Sequence, residues 1–262
     1  MNSKVALCLA GQYRTFDSNV VQKTIKHFLL DKYECDIYIS TWKNRGVSLN
    51  HGNKVGYKNE SDIINENDIR KYIDCRSIEI EDYDLWYSNL SDTFKYLINN
   101  SNLHNGTIPQ LYKKYKSYSL IPKEQKYDFV IVTRPDIFIF NHFNIFDMIE
   151  NNTIWNCNPE GTWAYYPNRI FDILYMGKKD SIDKISNCYF NVLELLDDPY
   201  NSNLSSLDCC KILYTYAKKY CGLEVKSTHN LLCNVYRDIH SLDYNLNNCN
   251  INSESFKQIL KL

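Results

Sequence analysis

Two charged residues directly behind an apolar strand mark the first place where this chain could do chemistry. Tyr127–Thr133 reads Tyr-Asp-Phe-Val-Ile-Val-Thr, and Arg134-Pro135-Asp136 follows at once. Proline fixes its own backbone and keeps the residue before it extended, so Arg134 and Asp136 leave the strand on a stiff turn. A carboxylate there could help hold Mg or Mn against substrate phosphates. A guanidinium could neutralise the same phosphates directly. The bland alternative is a salt-bridged turn with no ligand.

Four other positions carry chemistry. The apolar run Val5–Ala10 ends in Gly11-Gln12-Tyr13-Arg14-Thr15. Gly11 permits a tight turn and close backbone approach, Arg14 offers a planar fork that matches a diphosphate, and the helix expected next favours anions at its start. This is not Gly-x-Gly-x-x-Gly, which disfavours a dinucleotide site. Asp172 sits inside the apolar stretch Ile170–Gly177, where a carboxylate must be paired or functional, and Arg169 is a candidate partner. Asp208 precedes a helical pattern and could be a catalytic base or a first-turn acid stabilised by the helix dipole. His229, just after Leu223–Lys226, could complete a metal shell or simply face solvent.

The elements that must position these residues alternate between strand and helix patterns. Val5–Ala10, Asp36–Thr41, Arg76–Ile80, Tyr127–Thr133, Leu223–Lys226 and Leu232–Tyr236 read as strands, and Ile170–Met176 as an apolar segment closed by Gly177. Phe16–Leu30, Leu90–Ile98, Gln110–Leu120, Asp180–Leu196 and Ser205–Tyr220 read as helices. Lys43–Lys58 reads as a loop and Asn245–Asn252 as a loosely ordered polar stretch. The alternation predicts an α/β fold with a mostly parallel sheet. No repeat or linker composition divides the 262 residues, so one domain over 1–262 is expected.

Composition excludes several classes. Thirty Lys and Arg balance 31 Asp and Glu, a net charge of −1, so nothing draws the whole chain to nucleic acid or an anionic membrane. The first apolar run is too short for a signal sequence, and no stretch reaches the roughly 18 apolar residues of a membrane span. Without a secretory leader the ten cysteines are expected as reduced thiols and the location as cytoplasmic.

With these segments in order, the chain resembles a family of small GT-A-type glycosyltransferases found in large DNA viruses, phages and bacterial surface-polysaccharide clusters. The resemblance is carried by Val5–Arg14, Asp36–Trp42, Pro109–Lys113, Tyr127–Asp136 and Arg169–Asp172 leading to Gly177, from position 4 to about 225. It implies a GT-A-like mixed, mostly parallel sheet, with a nucleotide-binding half over about 1–140 and an acceptor half over about 141–245. It also implies a viral setting in the host cytoplasm, a nucleotide-sugar donor, a glycan or glycoprotein acceptor, and a divalent metal. By the same resemblance Gly11, Gln12, Arg14, Arg134, Asp136 and Arg169 bind the donor. Asp136 would hold the metal, with His229 a further candidate ligand from its position alone, and Asp208, or failing it Asp172, would be the catalytic base if the reaction inverts. Arg134 stands where the family's Asp-x-Asp has its first acid, and Leu207-Asp208 where Glu-Asp is usual. An arginine there can neutralise phosphate itself, so metal dependence is open. The competing readings are a module that binds nucleotide or glycan without turnover, and another nucleotide-using enzyme such as a methyltransferase.

Overall fold

The computed structural model describes residues 4–46, 49–50, 53–54, 62–100, 103–104, 106–157, 168–197, 208–228, 233–235 and 253–261. Strands β1 (Lys4–Ala10), β2 (Glu34–Trp42) and β5 (Ser77–Glu81) lie on one side of a seven-stranded sheet. On the other side lie β6 (Phe129–Thr133), β8 (Thr153–Cys157), β9 (Leu174–Gly177) and β10 (Glu224–Thr228). The order is β10-β8-β9-β6-β1-β2-β5. Within that sheet only β9 runs against its neighbours, β6 and β8. The sheet is thus mixed and mostly parallel, as expected. Two short pairs stand apart: β3 (Leu49–Asn50) with β4 (Asn53–Lys54), and β7 (Ile137–Ile139) with β11 (Cys233–Val235).

Helices cover both faces, which is why the central strands read as unbroken apolar runs. Val5, Leu7 and Leu9 of β1 pack with α1 (Asn19–Ile25), while Ala6 and Cys8 pack with residues of α5 (Thr107–Ser119), α6 (Lys179–Ser186) and α8 (Cys209–Thr215). The remaining helices are α2 (Glu66–Arg70), α3 (Tyr83–Ser88), α4 (Asp92–Asn100), α7 (Val192–Asp197) and α9 (Ser253–Lys261). Among the described residues no helix is long and apolar enough to cross a membrane. All nine described cysteines are free thiols.

Several elements differ from the sequence reading. The segment Lys43–Lys58, read as a loop, holds the short β3–β4 pair, whose two-residue strands are too brief to leave an alternating pattern. The first helix begins at Asn19, not Phe16, because the Ser18 side chain caps it by accepting the Val21 N–H at 3.2 Å. The expected helix Asp180–Leu196 is two helices, α6 and α7, joined by a 3₁₀ segment over Asn187–Asn191. In Ile170–Met176 only Leu174 onward joins the sheet. Ile170 N–H donates to the Cys210 carbonyl at 3.1 Å and Phe171 N–H to Asn156 Oδ1 at 2.9 Å, so the chain peels away and carries Asp172 outward.

Gly177 closes β9 where a side chain would have no room. A Cβ there would lie 2.8 Å from the Thr153 carbonyl oxygen on the adjacent strand. Backbone on both sides must shift to admit it. We expect Gly177→Ala to lower stability by about 1–3 kcal/mol, read as a fall in the urea midpoint at constant slope. An unchanged midpoint would show that the strands move apart freely.

Candidate functional site

The sheet changes direction between β1 and β6. These strands are parallel neighbours, yet from β1 the chain goes on to β2 and β5, and from β6 it goes on to β8 and β9 on the other side. In open α/β sheets the crevice at such a reversal, outside the carboxyl ends of the strands, is where ligands bind. Gly11–Arg14 and Arg134–Asp136 leave β1 and β6 at that crevice. Asp172, two residues before β9, enters at the same edge because β9 is antiparallel.

Local backbone explains how each side chain arrives. Gly11 has φ +124°, a conformation closed to other residues, and its N–H donates to the Ser40 carbonyl at 3.1 Å. Arg14 has φ +44° without being glycine, a strained placement that its surroundings must enforce. They do so through Arg45. Arg14 N–H donates to the Arg45 carbonyl at 2.9 Å, and Arg45 Nη1 donates to the Arg14 carbonyl at 2.7 Å. Arg45 is itself fixed by two bonds to Asp17 at 3.1 and 3.2 Å, with its guanidinium 4.8 Å from the Tyr13 ring centroid. Sequence reasoning missed Arg45, which lies in a segment read as loop.

The side chains converge on two carboxylates. Arg134 Nε donates to Asp136 Oδ1 at 2.9 Å and Nη2 to Oδ2 at 3.0 Å. Arg14 Nη1 reaches the same Oδ2 at 3.3 Å, with its Nε on Gln12 Oε1 at 2.9 Å. Arg134 Nη1 then donates to Asp172 Oδ2 at 3.2 Å. Helix α5 adds Gln110, whose Nε2 donates to Asp172 Oδ2 at 2.6 Å, and Lys114, whose Nζ donates to the Asp172 carbonyl at 2.9 Å. Gln110 and Lys114 are four apart and share a helix face, a spacing visible in the sequence but not singled out there. Three basic side chains thus face two carboxylates.

Burial alone would raise the Asp172 carboxyl. The charges of Arg134 and Lys114, with hydrogen bonds from Gln110 and Arg134, outweigh it and hold that group below the ordinary carboxylate range. Burial pushes the Cys210 thiol well up, so it remains an S–H donor to Asp172 Oδ1 at 3.6 Å. A carboxyl whose folded value is depressed stabilises the fold fully above its unfolded value of about 3.9, and that contribution disappears as pH falls through the folded value. Asp172→Asn is therefore expected to flatten the acid limb of the stability profile below about pH 4, measured by denaturant unfolding at stepped pH. An unaltered acid limb would contradict the pairing.

Beside this cluster Arg169 and Asp208 form a second pair. Arg169 Nη1 donates to Asp208 Oδ2 at 2.6 Å, while Asp208 Oδ1 caps α8 by accepting Lys211 N–H at 3.0 Å. Asp208 is thus the helix-cap residue and an ion-pair partner at once. Asp208→Asn keeps a cap and should cost little, whereas Asp208→Ala should cost about 1 kcal/mol more, read from thermal unfolding of both variants. Equal losses would remove the cap from the explanation.

The donor set does not fit a divalent cation at Asp136. Its carboxylate is 1% exposed and takes three N–H bonds from two guanidinium groups, which a cation would have to displace while lying against their charge. Among the described residues no three His, Cys, Asp or Glu side chains are grouped to hold a metal ion. His229 lies outside the described residues.

A cavity of about 320 Å³ opens beside the Gly11–Arg14 turn, on the side where β2 ends. Tyr13, Asp17, Arg45, Asp62, Asp68 and Tyr72 are among its walls.

No family model matches the chain, and no curated protein matches it in sequence. Among solved structures it is similar to the apo form of mouse xyloside xylosyltransferase 1. The TM-score is 0.43 at 10% identity, covering 87% of this chain and 84% of that chain.

Proposed function

We propose that the protein transfers a sugar from a nucleotide-sugar donor to a hydroxyl of a glycan or glycoprotein acceptor. The observation that carries this reading is the cationic crevice at the sheet's reversal point, where Arg14 and Arg134 are aligned on one buried carboxylate. A diphosphate leaving group gathers negative charge as the glycosidic bond breaks. Preorganised guanidinium groups in a sheltered site stabilise that charge without reorganising. The neighbouring cavity, with Tyr13 and Tyr72 in its walls, has room and aromatic surface for a nucleoside.

A proton acceptor for the sugar-accepting hydroxyl would be Asp208 in an inverting reaction. Asp172 is the poorer base, because Arg134 and Lys114 hold its carboxyl low. Asp208 would have to leave Arg169 or share it with the acceptor.

A panel of nucleotide sugars, assayed for donor hydrolysis and transfer with and without manganese, tests the proposal. Turnover of one donor, lowered about a hundredfold or more in Arg14→Lys, is the expected result. A second reading has support in the ion pairing of both candidate bases: a module that binds nucleotide without turnover. Calorimetric binding of a nucleotide with no product from any donor would select it.

A further inference from the structure

We propose that Asp136 is an anchor for two arginines rather than a metal ligand, and that the Arg14–Arg134 pair it aligns binds a diphosphate without a divalent cation. The anchoring role stands on geometry. Only the identity of the ligand as a nucleoside diphosphate rests on the sugar-transfer reading.

Exposure orders the three groups. The Asp136 side chain is 1% exposed, Arg134 12% and Arg14 22%. The carboxylate is thus the least exposed of the three groups and Arg14 the most exposed. A metal ligand needs carboxylate oxygens free for the cation, and here guanidinium N–H groups already occupy both. The carboxylate joins the two arginines, with Oδ2 accepting from both Arg134 Nη2 and Arg14 Nη1.

Both arginines are also fixed from behind. Arg14 is locked by the reciprocal backbone and side-chain bonds with Arg45, which sustain its positive φ. Arg134 N–H donates to the Ile173 carbonyl at 3.2 Å, and its Nη1 is tied to Asp172. Strain of this kind persists only where surrounding structure over-determines it, and such places are drawn from ligand clamps and active sites. Among the described residues, Lys114, buried and bonded to the Asp172 carbonyl, joins Arg14 and Arg134 as a third basic group beside Asp136 and Asp172. That excess suits an anion and opposes a dication.

Two measurements on the full chain decide the matter. Manganese titrated into the protein without nucleotide is followed by its electron paramagnetic resonance signal, which is expected to stay that of the free ion. Calorimetry is then run with UDP, GDP and inorganic pyrophosphate, each in EDTA and in manganese. At least one should bind in EDTA with an affinity within about threefold of that in manganese, and Arg14→Met should weaken it by about tenfold or more. Binding only in manganese would overturn the proposal. So would a protein-dependent loss of the free-manganese signal that disappears in Asp136→Asn. If none of the three ligands binds in either buffer, the diphosphate half and the sugar-transfer reading fall together. The resonance result on the parent protein still decides Asp136, whether or not the variant folds.

Discussion

Arg134→Met is expected to cost about 3–5 kcal/mol of folding stability, because it leaves buried carboxylates short of their main cation. Asp136 would lose the two bonds from Arg134 while keeping the one from Arg14 at 3.3 Å, and Asp172 would lose one of its donors. The size of the loss reflects burial. An exposed pair would contribute at most about 1 kcal/mol, whereas a carboxylate 1% exposed cannot turn to water for replacement. Arg134→Met combined with Asp136→Leu should recover much of the deficit, since an apolar pair of similar volume costs no charge burial. Urea unfolding of the parent, both single variants and the double variant reads this directly. A single-variant loss below about 1 kcal/mol would mean that another group or water already serves Asp136.

Arg14→Lys is expected to lower the transfer rate by about a hundredfold or more while leaving the fold intact. Lysine keeps the charge but not the fork. One ammonium cannot bond Gln12 and Asp136 and still present a planar edge to phosphate. The strained backbone at this position is held by main-chain bonds with Arg45, so the substitution does not release it. The initial rate with the donor found in the panel is the readout, alongside the unfolding midpoint. A rate within about threefold of the parent would take Arg14 out of the chemistry.

How much of this was legible in the chain depends on what each feature needed. Val5–Ala10 and the run ending at Thr133 announced buried strands because both faces of each are covered, which requires continuous apolar residues. The turns behind them were legible for the same reason: glycine and proline mark where such strands must end. Strand β8, Thr153–Cys157, gave no such signal. Its run is short and broken by Asn156, which is buried because its side chain bonds the Arg169 carbonyl and Phe171 N–H. The apolar segment Ile170–Met176 did not show where its strand begins, since apolar residues that leave a sheet to pack elsewhere look the same in sequence as those that stay. Arg45 and Lys114 were illegible as site residues. A charge in a loop or on a helix reads as solvated until its burial is known.

The sequence alone determined the class of the fold and the identity of its chemical edges. Periodicity and punctuation are local properties, set by which backbone conformations and which buried faces each short segment can support. From them came an α/β sheet with Gly11–Arg14 and Arg134–Asp136 at strand ends. Only the tertiary structure decided that these two turns are neighbours across a reversal in strand order, that Asp172 joins them from an antiparallel strand, and that Asp136 is buried in a pairing with both arginines. Strand order is a choice among long-range pairings that local pattern does not encode. Which charge ends up buried, and so whether an acid faces a metal or anchors a guanidinium, follows from that choice.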